Sequence, residues 1–255
     1  MGAYLFGVQV ARSDDGGRTW ATNTYVPTVG GDRQWLAFDG DRVYLSFWQI
    51  PTGVWIARSD DAGATFRPPL RAAGVEEGQL GSNGPPVVAD GRLLLPYAAR
   101  DGVRVALSDD GATTFRSVRV SDERAADWPV GAVDGHGAVH LLWPRAEGPV
   151  RLARSLDGGE TWEAPLTWAD DWSRGTAAWL VATESGGVRA AWFAEGELRV
   201  AFGRSGGLPE RTVTLAQGVE APSGDFAHIA VGPEGRLAAT WATRAGALLA
   251  LERDA

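Results

Sequence analysis

The chain contains no cysteine and no lysine, a single methionine and three histidines. Without cysteine, disulfide frameworks, thiolate metal sites and cysteine nucleophiles are all excluded. The compartment stays open, because secreted bacterial proteins often lack cysteine too. No apolar run approaches the roughly 20 residues that cross a bilayer. The opening MGAYLFGVQVARSDD has no basic region leading into an apolar core, so neither a membrane span nor a signal peptide is read here. Positive charge is also short, with 24 basic against 32 acidic residues and a formal net charge of -8. That balance argues against a phosphate-binding surface and against nucleic acid as a partner. Every basic side chain is arginine, which suits bidentate recognition of carboxylates, although GC-rich coding produces the same bias.

What is present is a repeat. SDDGGRTW begins at Ser13, SDDAGATF at Ser59, SDDGATTF at Ser108 and SLDGGETW at Ser155, spaced 46, 49 and 47 residues apart. Each follows a short alternating run: GVQVAR, GVWIAR, GVRVAL and PVRLAR. A worn copy, ELRVAFGRSGG, places Gly203 in register, and ALLALERDA resembles the approach to a sixth. Period-2 alternation predicts strands, and 34 glycines supply turn positions where positive φ carries no penalty. Four strands per unit of this length predict an all-β propeller of four-stranded antiparallel blades in a single domain over residues 1–255. With 44% hydrophobic residues the chain buries a core without metals or disulfides.

The four segments resemble the Asp-box, or bacterial neuraminidase, repeat, S-x-D-x-G-x-T-[WF]. The copies at Ser13, Ser59 and Ser155 fit it fully, whereas Ala112 stands where the Ser108 copy should carry glycine. Physically this reads as a turn in which Asp15, Asp61, Asp110 and Asp157 accept local hydrogen bonds. Gly17, Gly63 and Gly159 bend the chain, and Trp20, Phe66, Phe115 and Trp162 are expected to bury an anchoring ring. A calcium site is rejected, because each box offers too few oxygen ligands at suitable spacing. Counting strands from the boxes, the two chain ends together close a fifth blade with one strand to spare, whereas the resemblance implies six blades.

If the boxes lie on one rim, the loops from strand four to strand one, and from strand two to strand three, form a mouth on the other. DRQW, SNGP, ADWP, SRGT and GDFAH fall in the first set; FWQ, PYAAR, WPRAEG, FAEGE and WATRAG fall in the second. These segments vary between repeats while the boxes do not, the pattern of working loops on a fixed scaffold. Arg33, Arg100, Arg145, Arg174 and Arg244 are candidates for a carboxylate clamp, each weighed against an ordinary rim position. Asp32, Asp127, Asp171, Glu147 and Asp225 are candidate proton donors or bases, each weighed against loop capping. Trp35, Trp48, Trp128, Trp143 and Trp172 fall near the mouth, where indole faces stack on sugar rings, although packing between blades accounts for tryptophans equally well. His136 and His140 span a turn and a strand, which makes a shared metal improbable. No cofactor is expected.

The boxes, DRQWLAFDG and GRLLLPYAARDG are similar to sialidases and the wider sialidase-like group over nearly the whole chain. The resemblance implies a glycan ligand, a mature secreted bacterial domain and, in active members, exo-sialidase chemistry. That chemistry uses three arginines on the sugar carboxylate, a tyrosine nucleophile paired with glutamate, and an aspartate acid/base. Two elements are missing here, the R-I-P motif and a tyrosine in the last repeat. Tyr97, beside Arg100, is the one tyrosine at an expected mouth position, with packing at a strand end as its alternative role. Asp-box repeats also occur in binding proteins without catalysis, so a mouth that binds glycan or protein, or an incomplete scaffold, stands beside the enzyme.

Overall fold

The computed structural model describes residues 7–26, 31–49, 52–74, 79–146, 148–173, 176–219, 227–231, 236–243 and 246–252, and the described residues form strands and turns with no helix. None of them forms a helix long and apolar enough to cross a membrane. Blade 1 joins β3 (Gly31–Asp39), β4 (Arg42–Gln49), β5 (Gly53–Ser59) and β6 (Leu70–Gly74). In blade 2, β7 (Gln79–Asn83) and β8 (Val87–Ala89) both pair with β9 (Arg92–Ala99), followed by β10 (Gly102–Ser108) and β11 (Arg116–Ser121). Blade 3 contains β12 (Val130–Val133), β13 (Val139–Pro144), β14 (Val150–Ser155) and β15 (Leu166–Ala169). Blade 4 contains β16 (Trp179–Ala182), β17 (Gly187–Ala194), β18 (Glu197–Arg204) and β19 (Pro209–Gln217).

The chain ends form two further sheets: β1 (Val8–Arg12) with β2 (Ala21–Val26), and β20 (His228–Val231) with β21 (Leu237–Thr243) and β22 (Gly246–Glu252). They do not merge into one hydrogen-bonded blade among the described residues. The reason is the spare strand: β1 precedes a box and β22 follows two strands, so both occupy the third-strand position and cannot share one four-stranded ladder. Neighbouring inner strands meet in the sequence β3, β8, β12, β16, β20, which arranges five innermost strands about an axis.

Each junction between sheets has its own apolar core, because middle strands buried on both faces send alternate side chains to opposite neighbours. Leu93, Leu95 and Tyr97 pack with Tyr44, Val54 and Ile56 of blade 1, while Leu94 on the same strand packs with Leu141 and Trp143 of blade 3. Trp128, Leu152 and Trp168 meet Leu180, Ala190 and Trp192 between blades 3 and 4. Val8 and Val26 cover Leu45 and Phe47, and Ile229 and Trp241 cover Phe193 and Val200.

The four boxes have one hydrogen-bond pattern. The serine Oγ donates to the aspartate Oδ1 at 2.7–2.8 Å and accepts the N–H of Gly17, Gly63, Ala112 or Gly159 at 2.7–2.9 Å. The aspartate then accepts both the N–H and the hydroxyl of Thr19, Thr65, Thr114 or Thr161. Two successive residues are left-handed in every copy, with φ of 73° and 84° at Gly16 and Gly17 and of 68° and 65° at Gly111 and Ala112. At the second of these positions Ala112 accepts the backbone strain that Gly17, Gly63 and Gly159 avoid, and at the first Ala62 does so, with φ of 55°.

A second repeated feature clasps neighbouring blades. Arg12 donates to the carbonyl of Asp61 at 3.4 Å, Arg58 to Gly111 at 2.6 Å and Arg154 to Ser205 at 3.2 Å. Each of these arginines immediately precedes a box serine and reaches the corresponding turn of the next blade. Blade 2 has Leu107 at that position, and Arg92 from the adjacent strand substitutes, donating to the carbonyls of Asp157 and Gly158.

One box departs from expectation. Phe66, Phe115 and Trp162 pack against the preceding sheet, but Trp20 is 65% exposed, so its predicted burial is corrected. The ring lies beside Gly17 instead of in one of the inter-sheet cores. A box aromatic is buried by the sheet in front of it, and β1–β2 is packed only on its blade 1 side among the described residues.

Candidate functional site at the axial mouth

The boxes and the strand 1–2 turns share one rim, as the bond from Ala62 N–H to the carbonyl of Asp41 illustrates. The inner strands begin at the opposite rim, and their first residues converge on the axis. Trp35 on β3, Trp128 just before β12, Trp179 at the start of β16 and His228 at the start of β20 form one aromatic layer. Ring centroids are 5.9 Å apart for Trp35–Trp128, 5.6 Å for Trp35–Trp179, 6.5 Å for Trp35–His228 and 4.1 Å for Trp179–His228. Blade 2 contributes Asn83, whose carbonyl accepts the Trp35 indole N–H at 3.1 Å. Trp128 is fully buried beneath, Trp35 and Trp179 are half-buried and His228 is exposed, so the layer, called the cup below, grades from a buried indole to an accessible imidazole.

Backbone geometry then brings a cation over that buried indole. The β3–β4 register slips between Asp32 and Trp35, and Arg33 within the bulge is left-handed, with φ of 55°. Its N–H donates to Asp32 Oδ1 at 2.8 Å, and its guanidinium carbon stands 4.0 Å from the centroid of the Trp128 ring. A bulge re-aims a side chain in this way, and a non-glycine residue at positive φ is a strain kept only where surrounding structure fixes it. The guanidinium lies 4.0 Å from Asp32, at the outer limit of an ion pair, while its flat face rests on indole. The loops beside the cup approach closely: a Cβ on Gly84 would stand 1.7 Å from the Pro129 carbonyl, so only glycine fits there.

The other predicted residues separate into cores and rim. Tyr97 is fully buried between blades 1 and 2 with its hydroxyl 2.7 Å from Ser117 Oγ, which removes it from the mouth. The alternation of β9 turns its side chain sideways, toward the neighbouring blade. Trp143 is likewise fully buried between blades 2 and 3. Trp48 is half-buried on β4 opposite Asp32. Asp127 caps the N–H of Trp128 at 2.9 Å, and Asp32 caps Arg33, so both acids hold the backbone of the cup.

Arg100 is exposed at the β9–β10 turn. Arg145 stands 3.9 Å from Glu123, which Arg151 holds at 2.9 Å. Asp171 is paired with Arg199, which also binds Glu195 and Glu197. Trp172 donates to the Gly148 carbonyl at 2.9 Å. Arg174, Glu147, Asp225 and Arg244 lie outside the described residues. The structure thus brings together Asp32, Arg33, Trp35, Asp127 and Trp128, adds Trp179, which the sequence reading missed, and gives a place in the layer to His228, the last residue of the GDFAH mouth segment. The signal for Trp179 and His228 was present in the repeat alignment: both begin an inner strand in the register of Trp35, which faces Ser46 as Trp179 faces Ala191 and His228 faces Thr240.

The remaining histidines are far apart in character. His140 and Asp134 are fully buried, with His140 Nε2 2.9 Å from Asp134 Oδ2 and 3.2 Å from Ser205 Oγ. Burial pushes the imidazole below its usual range despite the adjacent carboxylate, and both partners share one ring nitrogen, so this trio ties blade 3 to blade 4 and is not a nucleophile triad. His136 is exposed between two clefts on the box rim, of about 380 and 710 Å³. On their walls Arg92 pairs with Asp109 and Arg204 with Glu210, while Arg189 and Arg211 lie over the Phe202 ring.

No protein-family model matches the chain, and neither does any curated protein. Solved structures do match. A protein of unknown function from Dyadobacter fermentans aligns with a TM-score of 0.68 at 16% identity, over 98% of this chain and 86% of that one. BP39L lectin from Burkholderia pseudomallei aligns with a TM-score of 0.64 at 15% identity, over 90% and 73%. The leech intramolecular trans-sialidase, solved with 2,7-anhydro-Neu5Ac, aligns with a TM-score of 0.58 at 14% identity, over 87% of this chain but 42% of that one. At these identities the likeness concerns fold alone, and by fold this chain is a β-propeller.

Proposed function

We propose that the chain is a glycan-recognising propeller that receives a sugar in the axial cup, by binding rather than by hydrolysis. The carrying observation is the layer of half-buried Trp35 and Trp179 with exposed His228, backed by buried Trp128 and the Arg33 guanidinium that lies over it. Indole faces stack on the apolar face of a pyranose, and a cation at the same place supplies fixed hydrogen-bond donors to its polar edge. The lectin and the trans-sialidase among the structural neighbours support a sugar as the ligand class.

The finer reading, an exo-sialidase, would use Arg33 with Arg145 or Arg174 on the carboxylate and Asp32 or Asp127 as proton donor. Among the described side chains no tyrosine is placed to act as its nucleophile: Tyr97 and Tyr44 are core residues, and the side chains of Tyr4 and Tyr25 lie outside the described residues. The test pairs a glycan array with turnover of a fluorogenic sialoside. Glycan binding that falls at least tenfold in Trp179→Ala, with turnover at the blank, is the expected result. Turnover above the blank that Asp32→Asn and Asp127→Asn abolish would replace binding by hydrolysis. Binding to no glycan, by a folded and monodisperse sample, would sink the glycan reading and turn the search to protein partners.

A further inference from the structure

We infer that His228 acts as a protonation-controlled selector in the cup, admitting carboxylate-bearing sugars as it gains charge; the inference rests on the glycan reading above. Two features of the geometry carry it. First, β20 delivers the imidazole to the same layer as three indoles, 4.1 Å from Trp179 and 6.5 Å from Trp35, while leaving it exposed. Second, among the described residues the cup holds one guanidinium, that of Arg33, with the carboxylates of Asp32 and Asp127 tied to the backbone beside it. Adding an imidazolium therefore shifts the charge facing a ligand in the positive direction.

The groups around His228 set the sign. β16 faces it with Trp179 and no ionisable side chain between Trp179 and Ala182. β3 brings Trp35 and, at its start, Arg33 with Asp32. Beyond Trp35, Trp128 is preceded by Asp127, which is tied to the Trp128 N–H. Burial against the neighbouring rings pushes the imidazole below its usual 6.5. Burial thus favours the neutral imidazole, and falling pH adds its proton. A carboxylate in the cup favours the charged form, and by linkage protonation strengthens carboxylate binding equally.

The experiment compares methyl glucuronide with methyl glucoside, binding each to the whole chain at pH 8 and pH 5 by calorimetry. The glucuronide carboxylate is ionised at both. The wild-type affinity ratio, glucuronide over glucoside, is expected to rise about five- to tenfold at pH 5, and in His228→Gln to stay constant. An NMR titration adds a reciprocal readout: saturating glucuronide should raise the apparent pKa of His228. Binding of both sugars with a pH-independent ratio in the wild type overturns the inference and leaves the glycan reading standing. A ratio that rises equally in His228→Gln assigns the effect to another group and also overturns it. Binding of neither sugar at either pH overturns both readings.

Discussion

Single residues show where the repeat is under strain. Ala62 and Ala112 occupy left-handed positions in the boxes, with φ of 55° and 65°. A β-carbon there costs about 1–2 kcal/mol, and replacing it with glycine returns that minus about 0.4–1 kcal/mol of extra unfolded-chain entropy. Ala62 is exposed, so Ala62→Gly should stabilise by about 0.5–1 kcal/mol. Ala112 is 5% exposed and packed between blades 1 and 2, and losing its methyl costs about 0.8 kcal/mol, so Ala112→Gly should be close to neutral. Denaturant midpoints of the two variants test the contrast, and an equal gain in both would mean that the buried methyl contributes nothing. The charge state of the boxes is a residue-scale property too. In Asp61 the Thr65 and Ser59 hydroxyls, followed by the Thr65 N–H, hold the carboxyl at about 2.

At the scale of elements, the clasping arginines connect one blade to the next more specifically than the apolar cores do. Arg58 is only 16% exposed and donates to the carbonyl of Gly111, which is itself buried. Arg58→Ala leaves that carbonyl without its donor, a loss of about 1–3 kcal/mol. Hydrogen exchange should rise in the Ser108 box and in β5 before it rises in blades 3 and 4. Uniform acceleration across all blades would show instead that the junction opens only with global unfolding. Arg92 takes the place of the missing arginine at Leu107, so the clasp is kept by geometry where its sequence position is lost.

For the whole molecule, pH dependence should have two limbs. His140 is buried neutral with its pKa lowered, so the unfolded chain takes up this proton first, near 6.5, and stability declines shallowly below that pH. Asp15 and Asp61 have folded values of about 2 against 3.8, so their contribution is complete above about pH 4 and is lost as pH falls to 2. Asp110 is lowered in the same sense, and the steep limb lies there. Melting temperatures from pH 8 to pH 2 should resolve both limbs, and His140→Gln should flatten the shallow one, leaving the smaller part contributed by His228. A wild-type profile flat from pH 6.5 to 4.5 would contradict the assignment to His140.

The sequence by itself determined the repeat, the strand content and the turn chemistry of SDDGGRTW and its copies. These are local features: a serine, an aspartate and a threonine within seven residues complete their own hydrogen bonds wherever the turn is placed. It also indicated which loops form the mouth, and within them Asp32, Arg33, Trp35, Asp127 and Trp128. Tertiary structure decided the rest. Strand alternation shows that Tyr97 has two faces to choose from, but only the stacking of blades assigns its face to a core. Trp20 follows a complete box and is exposed because burial of that ring depends on the sheet in front, which the box does not specify. Trp179 and His228 join the cup because inner strands from separate repeats converge on one axis, and that convergence exists only when the ring of blades is assembled.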